Sequence, residues 1–106
     1  MIDDKNLWKI LSKLSYKKDK HYKKYKCPCC GFYTFKRKPT GSYDICPVCF
    51  WEDDLFQSLD PDCIGIGANK VSLNQGKANF IEFGACEREM IPNVRAPLKS
   101  EMSGID

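Results

Sequence analysis

The chain has 106 residues, 42% of them hydrophobic and 12% aromatic, which suits one small core and excludes a second full-sized domain. Its net charge of +3 conceals an asymmetry: residues 1–26 carry nine lysines against three aspartates, a balance of +6, and the remaining eighty carry eight basic and eleven acidic side chains, a balance of −3. Lysines interrupt every early apolar run, so neither a membrane span nor a secretory signal fits, and a soluble cytoplasmic protein with no membrane partner is expected.

Residues 1–24 read as a basic helical leader. Asp3 or Asp4 can cap a first turn, and Leu7, Leu11 and Leu14 recur at helical spacing with Trp8 and Ile10 beside them, which predicts an amphipathic helix over residues 4–15. From Tyr16 onward, aromatic residues alternate with Lys17, Lys18, Lys20, Lys23 and Lys24. That mixture suits phosphate neutralisation with stacking on bases, or attachment to an acidic protein surface. A solvated linker is the plainer reading and the preferred one.

Seven cysteines follow, and their pattern argues against a disulfide framework: the number is odd, and four of them form two Cys-x-x-Cys pairs. Cys27-Pro-Cys-Cys30-Gly and Cys46-Pro-Val-Cys49-Phe are two copies of Cys-Pro-x-Cys with fifteen residues between them. Two thiolates three positions apart on a tight turn can face one ion while the intervening amides point at the sulfurs. Cys27, Cys30, Cys46 and Cys49 are therefore the expected ligands of one structural zinc ion. Pairing Cys29 with Cys27 or with Cys30 would break the symmetry between the two knuckles, so Cys29 is expected to point away. Four thiolates fill a tetrahedral site, which leaves His21 as a surface residue. Gly31 permits the left-handed release after the first knuckle; Phe50 stands at that position in the second, which must strain or run into a helical turn.

Between the knuckles, Phe32–Lys38 and Ser42–Ile45 favour strands and Pro39-Thr-Gly41 breaks them, predicting a hairpin with one knuckle at each base. Lys36, Arg37 and Lys38 near its tip offer a nucleic acid contact, against the preferred reading of a solubilising turn. Beyond Phe50-Trp51, the triplet Glu52, Asp53 and Asp54 is either a hard-cation site or dock for a basic partner, or the solvated start of a helix, and the latter is preferred. That helix places Leu55 and Leu59 on one face, with Phe56 next to it, and ends at Asp60-Pro61.

Gly65-Ile-Gly-Ala-Asn lacks the Gly-Lys-Ser/Thr ending of a phosphate loop and reads as a connector. Ser72-Leu-Asn-Gln75 then matches a capping box, with a helix over 73–83 and Gly84 as its release. Gly76 weakens that helix unless close packing requires its missing side chain. From Asn93 onward, Pro97 and Gly104 suggest an extended tail, flexible over residues 100–106.

The strings Tyr25-Lys-Cys-Pro-Cys-Cys-Gly, Tyr43-Asp-Ile-Cys-Pro-Val-Cys-Phe-Trp-Glu-Asp-Asp, Asp60-Pro-Asp and Gly84-Ala-Cys resemble the cysteine-rich CPCC proteins of bacteria, over roughly residues 25–99. The resemblance implies one compact zinc-binding unit without a settled activity. It also implies, by the toxin and immunity neighbourhoods in which similar small proteins occur, a protein partner such as a toxin.

The expectation is thus a small α+β protein: a zinc ribbon packed with short helices over residues 25–99, preceded by the basic leader. The aromatics Phe32, Phe35, Tyr43, Phe50 and Trp51 are expected against helix 73–83. An enzyme is not expected, because the one histidine lies in the leader, far along the chain from Cys63 and Cys86, structural thiols are the better reading of Cys29, Cys63 and Cys86, and a four-thiolate site is closed. The expected role is a non-enzymatic module that binds another protein. The alternatives are a nucleic acid binder using Lys17, Lys18, Lys20, Lys23, Lys24, Lys36, Arg37 and Lys38, and a rubredoxin-like iron redox protein with the same four ligands.

Overall fold

A computed structural model describes residues 24–64 and 69–103 of the chain. The predicted helix over residues 4–15, His21 and most of the 65–69 connector lie outside them.

Two short strands, β1 (Tyr25–Lys26) and β2 (Tyr33–Phe35), pair antiparallel, with Tyr25 opposite Phe35 and Lys26 opposite Tyr33. The first knuckle is the turn between them. Its closure is local: the Cys27 amide donates to the Phe32 carbonyl (2.8 Å) and the Gly31 amide to the Cys27 carbonyl (2.9 Å). The second knuckle repeats the pattern at the same spacing, Cys46 amide to Trp51 carbonyl (2.9 Å) and Phe50 amide to Cys46 carbonyl (2.8 Å). Ile45 and Glu52 form the bridge beneath it. The expected hairpin between the knuckles is therefore replaced by one small hairpin around each. Closing a loop of a few residues costs less chain entropy than pairing across the longer, proline-broken interval.

Helix α1 (Leu55–Leu59) starts at Asp54, whose carboxylate accepts from the Gln57 amide at 3.1 Å. Its apolar residues do not face the core: Leu55, Phe56 and Leu59 are exposed and Gln57 is buried. Hydrogen bonding decides this. Gln57 Nε2 donates to the carbonyls of Val71 (2.8 Å) and Cys63 (3.2 Å), and Gln57 Oε1 accepts from Asn69 Nδ2 (3.0 Å). The buried amide thereby finds partners for both of its polar atoms, and the leucines are left in water.

Helix α2 (Leu73–Phe83) carries the predicted cap, Ser72 Oγ accepting from the Gln75 amide (3.0 Å), and ends on Gly84 in the left-handed conformation. Gln75 does not complete the reciprocal half of the box; its side chain donates to Asn79 at 2.8 Å instead. Gly76 is the contact point with the core. A Cβ there would lie 3.2 Å from Cys29 Sγ and 3.3 Å from the Trp51 ring, so the helix approaches only because this residue has no side chain.

Trp51 is the centre of the core, fully buried with Phe35, Val48, Leu73 and Cys86 around it. Phe32 meets Phe80 edge to face at 6.1 Å, and Phe50 packs at the margin. Tyr43 departs from expectation and is 69% exposed. Its backbone is left-handed, with φ of 63°, at a turn held by the buried Asp53. One oxygen of that carboxylate accepts from the Gly41 amide (2.9 Å), the Ser42 amide (2.7 Å) and the Ser42 hydroxyl (2.8 Å).

The segment expected to trail off after Asn93 is packed as far as it is described. A 3-10 turn, η1 (Arg88–Asn93), is followed by Arg95, whose amide reaches the Pro47 carbonyl at 3.1 Å. The Arg95 guanidinium grips Glu101 through two bonds of 2.8 and 2.9 Å. Glu101 closes a second 3-10 turn, η2 (Lys99–Glu101), and is 3% exposed.

Candidate metal centre

The Sγ atoms of Cys27, Cys30, Cys46 and Cys49 all lie within 4.8 Å of one another. Cys27 and Cys49 approach to 3.7 Å, as do Cys30 and Cys46, so each close pair joins one knuckle to the other. These thiols are free, and their separations are far beyond a sulfur–sulfur bond of about 2 Å. A regular tetrahedron of sulfurs about 2.3 Å from a central ion has edges of about 3.8 Å, which is the spacing of both close pairs. The donor set therefore fits one tetrahedral metal ion.

Burial reinforces the fit. Cys46 and Cys49 are fully buried and Cys27 nearly so, while Cys30 is half-buried at the rim. Neighbouring thiols divide the acidity among themselves. The Cys27 thiol is pushed well up by its hydrogen bonds with Cys30 and Cys46 and by burial; that of Cys49 is pushed up by Cys27 and the other thiols around it. Cys46 goes the other way, its thiolate favoured by hydrogen bonds from Cys27, Cys30 and Cys49 and from the Thr34 hydroxyl. Thr34 Oγ1 lies 3.1 Å from Cys46 Sγ, and the Val48 amide donates to the same sulfur at 3.4 Å. Gathering four thiolates at one point is unfavourable unless a cation offsets their charge, and binding an ion displaces the thiol protons.

Two groups here were not readable as site residues beforehand. Thr34 showed only strand preference, since its hydroxyl meets Cys46 only once the first hairpin packs on the second knuckle. Cys86 showed only as a spare thiol, yet its amide donates to the Cys49 carbonyl at 2.8 Å and its carbonyl accepts from Asn79 Nδ2 at 2.8 Å. Its own thiol is pushed up to about 12 by burial, with smaller contributions from Cys29 and Glu87. Cys29 is buried against Gly76 and outside the quartet. Cys63 is half-buried on the loop after α1.

The other sequence candidates separate. Glu52, Asp53 and Asp54 serve three different structural tasks: backbone pairing with Asn69, the 41–43 turn, and the α1 cap. They are neither a solvated helix start nor a shared cation site. Lys36 and Lys38 are exposed, but Arg37 is bound to Asp44 by two bonds of 2.7 and 2.8 Å, which raises the guanidinium pKa and lowers that of the carboxylate. Lys17, Lys18, Lys20 and Lys23 lie outside the described residues. Among the described residues, no helix is long and apolar enough to cross a membrane.

Fold and site define a small α+β protein in which two Cys-Pro-x-Cys turns bring four thiols to one point. The family model for cysteine-rich CPCC proteins matches residues 25–101, and the chain belongs to that family. No curated protein matches it.

Proposed function

We propose that the protein is a cytoplasmic, zinc-ribbon-like module whose single zinc ion is structural, and that it works by binding another protein rather than by catalysis. The observation that supports this most is the 3.7 Å spacing of both inter-knuckle sulfur pairs, which suits a closed four-thiolate site with no open position for water or substrate. Such an ion ties Cys27–Gly31 to Cys46–Phe50, and its binding energy becomes folding energy. The toxin class of partner rests on the family resemblance alone. Iron would suit the same four sulfurs, so metal identity is the first thing to measure.

Elemental analysis and a visible spectrum of the purified protein should give about one zinc per chain and no colour; a coloured protein with stoichiometric iron would move the assignment to electron transfer. Cross-linked capture from cells with mass spectrometry should return a defined protein partner. Binding to random RNA or DNA that falls steeply with salt would replace that reading with a nucleic acid one.

A further inference from the structure

Helix α1 turns its apolar side to solvent. Leu55 is 43% exposed, Phe56 69% and Leu59 73%, and helical geometry makes Leu55 and Leu59 adjacent on one face. Ile64, 75% exposed, follows on the same loop. The outward direction of these three side chains follows from the inward Gln57, so this is a fixed feature of the fold, not a frayed end. Acidic residues frame it, with Asp60 and Asp62 exposed immediately after the helix.

The same chain carries a segment with the opposite properties. Leu7, Leu11 and Leu14 form an apolar stripe whose spacing is that of a helix face, and Lys17, Lys18, Lys20, Lys23 and Lys24 follow it. Residues 1–26 have a balance of +6 against −3 for the rest. The nine residues 16–24 reach up to about 30 Å when extended. Tethering raises the local concentration of the leader to the millimolar range, so a weak apolar contact suffices.

We infer that residues 4–15 of the leader dock in cis on the exposed face of α1, with Leu7, Leu11 and Leu14 covering Leu55, Phe56 and Leu59 and the following lysines lying towards Asp60 and Asp62. A twelve-residue helix is marginal in water by itself, so docking is what makes it persist. The inference stands whether or not the interaction role proposed above is correct, because it concerns only contacts within the chain.

Hydrogen exchange followed by mass spectrometry on the full, metal-loaded chain tests it. Amides of residues 4–15 should exchange at least about tenfold more slowly than in the free peptide of that sequence. The double substitution Phe56→Lys with Leu59→Lys, at positions already in solvent, should abolish that protection and leave α2 and the metal content unchanged. Leu11→Lys should reciprocally speed exchange in α1. Free-peptide rates over residues 4–15 in the unsubstituted chain would overturn the proposal, as would protection that survives the double substitution. Protection that rises with protein concentration would also overturn it, by placing the leader on a second copy.

Discussion

The first knuckle turns back on glycine and the second on phenylalanine, yet both close with the same two backbone hydrogen bonds. Gly31 sits at φ 83° and Phe50 at φ 70°. The left-handed region costs a residue with a side chain about 1–2 kcal/mol and glycine almost nothing. What differs is the support. The second knuckle is tied at two carbonyls, Pro47 to the Arg95 amide and Cys49 to the Cys86 amide, and Val48 and both its cysteines are fully buried. Around the first, Cys30 and Gly31 remain half-exposed. A strained turn persists where the surrounding structure overdetermines it, and a relaxed one suffices where less holds it.

If that difference governs the metal site, losing a sulfur from each side should have unequal consequences. Cys46→Ser removes a fully buried thiol that also accepts from Thr34 and Val48. It should abolish metal retention and leave the domain unfolded, since a structural ion in such a site would supply on the order of 10 kcal/mol. Cys30→Ser opens the rim of the site, where water can enter as a fourth ligand. It should keep a folded domain with weakened metal affinity. Metal content after dialysis and a thermal melt read both, and equal losses would erase the distinction.

Acidity is the next largest effect. Cys27 and Cys49 hold their protons more tightly than ordinary thiols, so metal binding must expel them, and affinity should fall as pH falls. Cys86 acts with the opposite sign. Its pKa is raised from 9.0 to about 12 in the fold, so its contribution is whole below pH 9 and is lost as pH climbs towards 12. Metal-loaded protein should therefore be most stable between these limits, and Cys86→Ala should flatten the alkaline fall while leaving the acid one. Denaturant midpoints across pH measure this.

The smallest effect isolates the turn itself. Gly31→Ala should cost about 1 kcal/mol through its φ alone, because a Cβ there meets nothing closer than Lys26 at 3.8 Å. At position 50 the usual ranking should invert: Phe50→Gly and Phe50→Ala lose the same ring packing, but only glycine releases the strain, making it more stable by about 1 kcal/mol. Alanine equal to or above glycine in chemical denaturation would show that the second turn is unstrained.

Local features were legible in advance because their causes are local. Each knuckle closes within six residues, Ser72 caps the turn that follows it, and Gly84 releases its helix, so spacing and residue type sufficed for all three. The quartet of cysteines was identifiable for the same reason, its symmetry lying in two short strings. Arg95 and Glu101 looked like tail residues because nothing nearby in sequence signals a carboxylate buried by a guanidinium.

Residue order alone thus determined two turns able to offer paired sulfurs, and where the main helix begins and ends. Only the tertiary structure decided that each knuckle pairs with its own flanks, that α1 buries a glutamine and exposes its leucines, and that Gly76 is the point where helix meets tryptophan. The physical reason is that hydrophobic periodicity reports an average preference for burial, whereas a buried side-chain amide demands particular hydrogen-bond partners. Here Gln57 finds those partners in Cys63, Val71 and Asn69, and burying it turns the leucines outward.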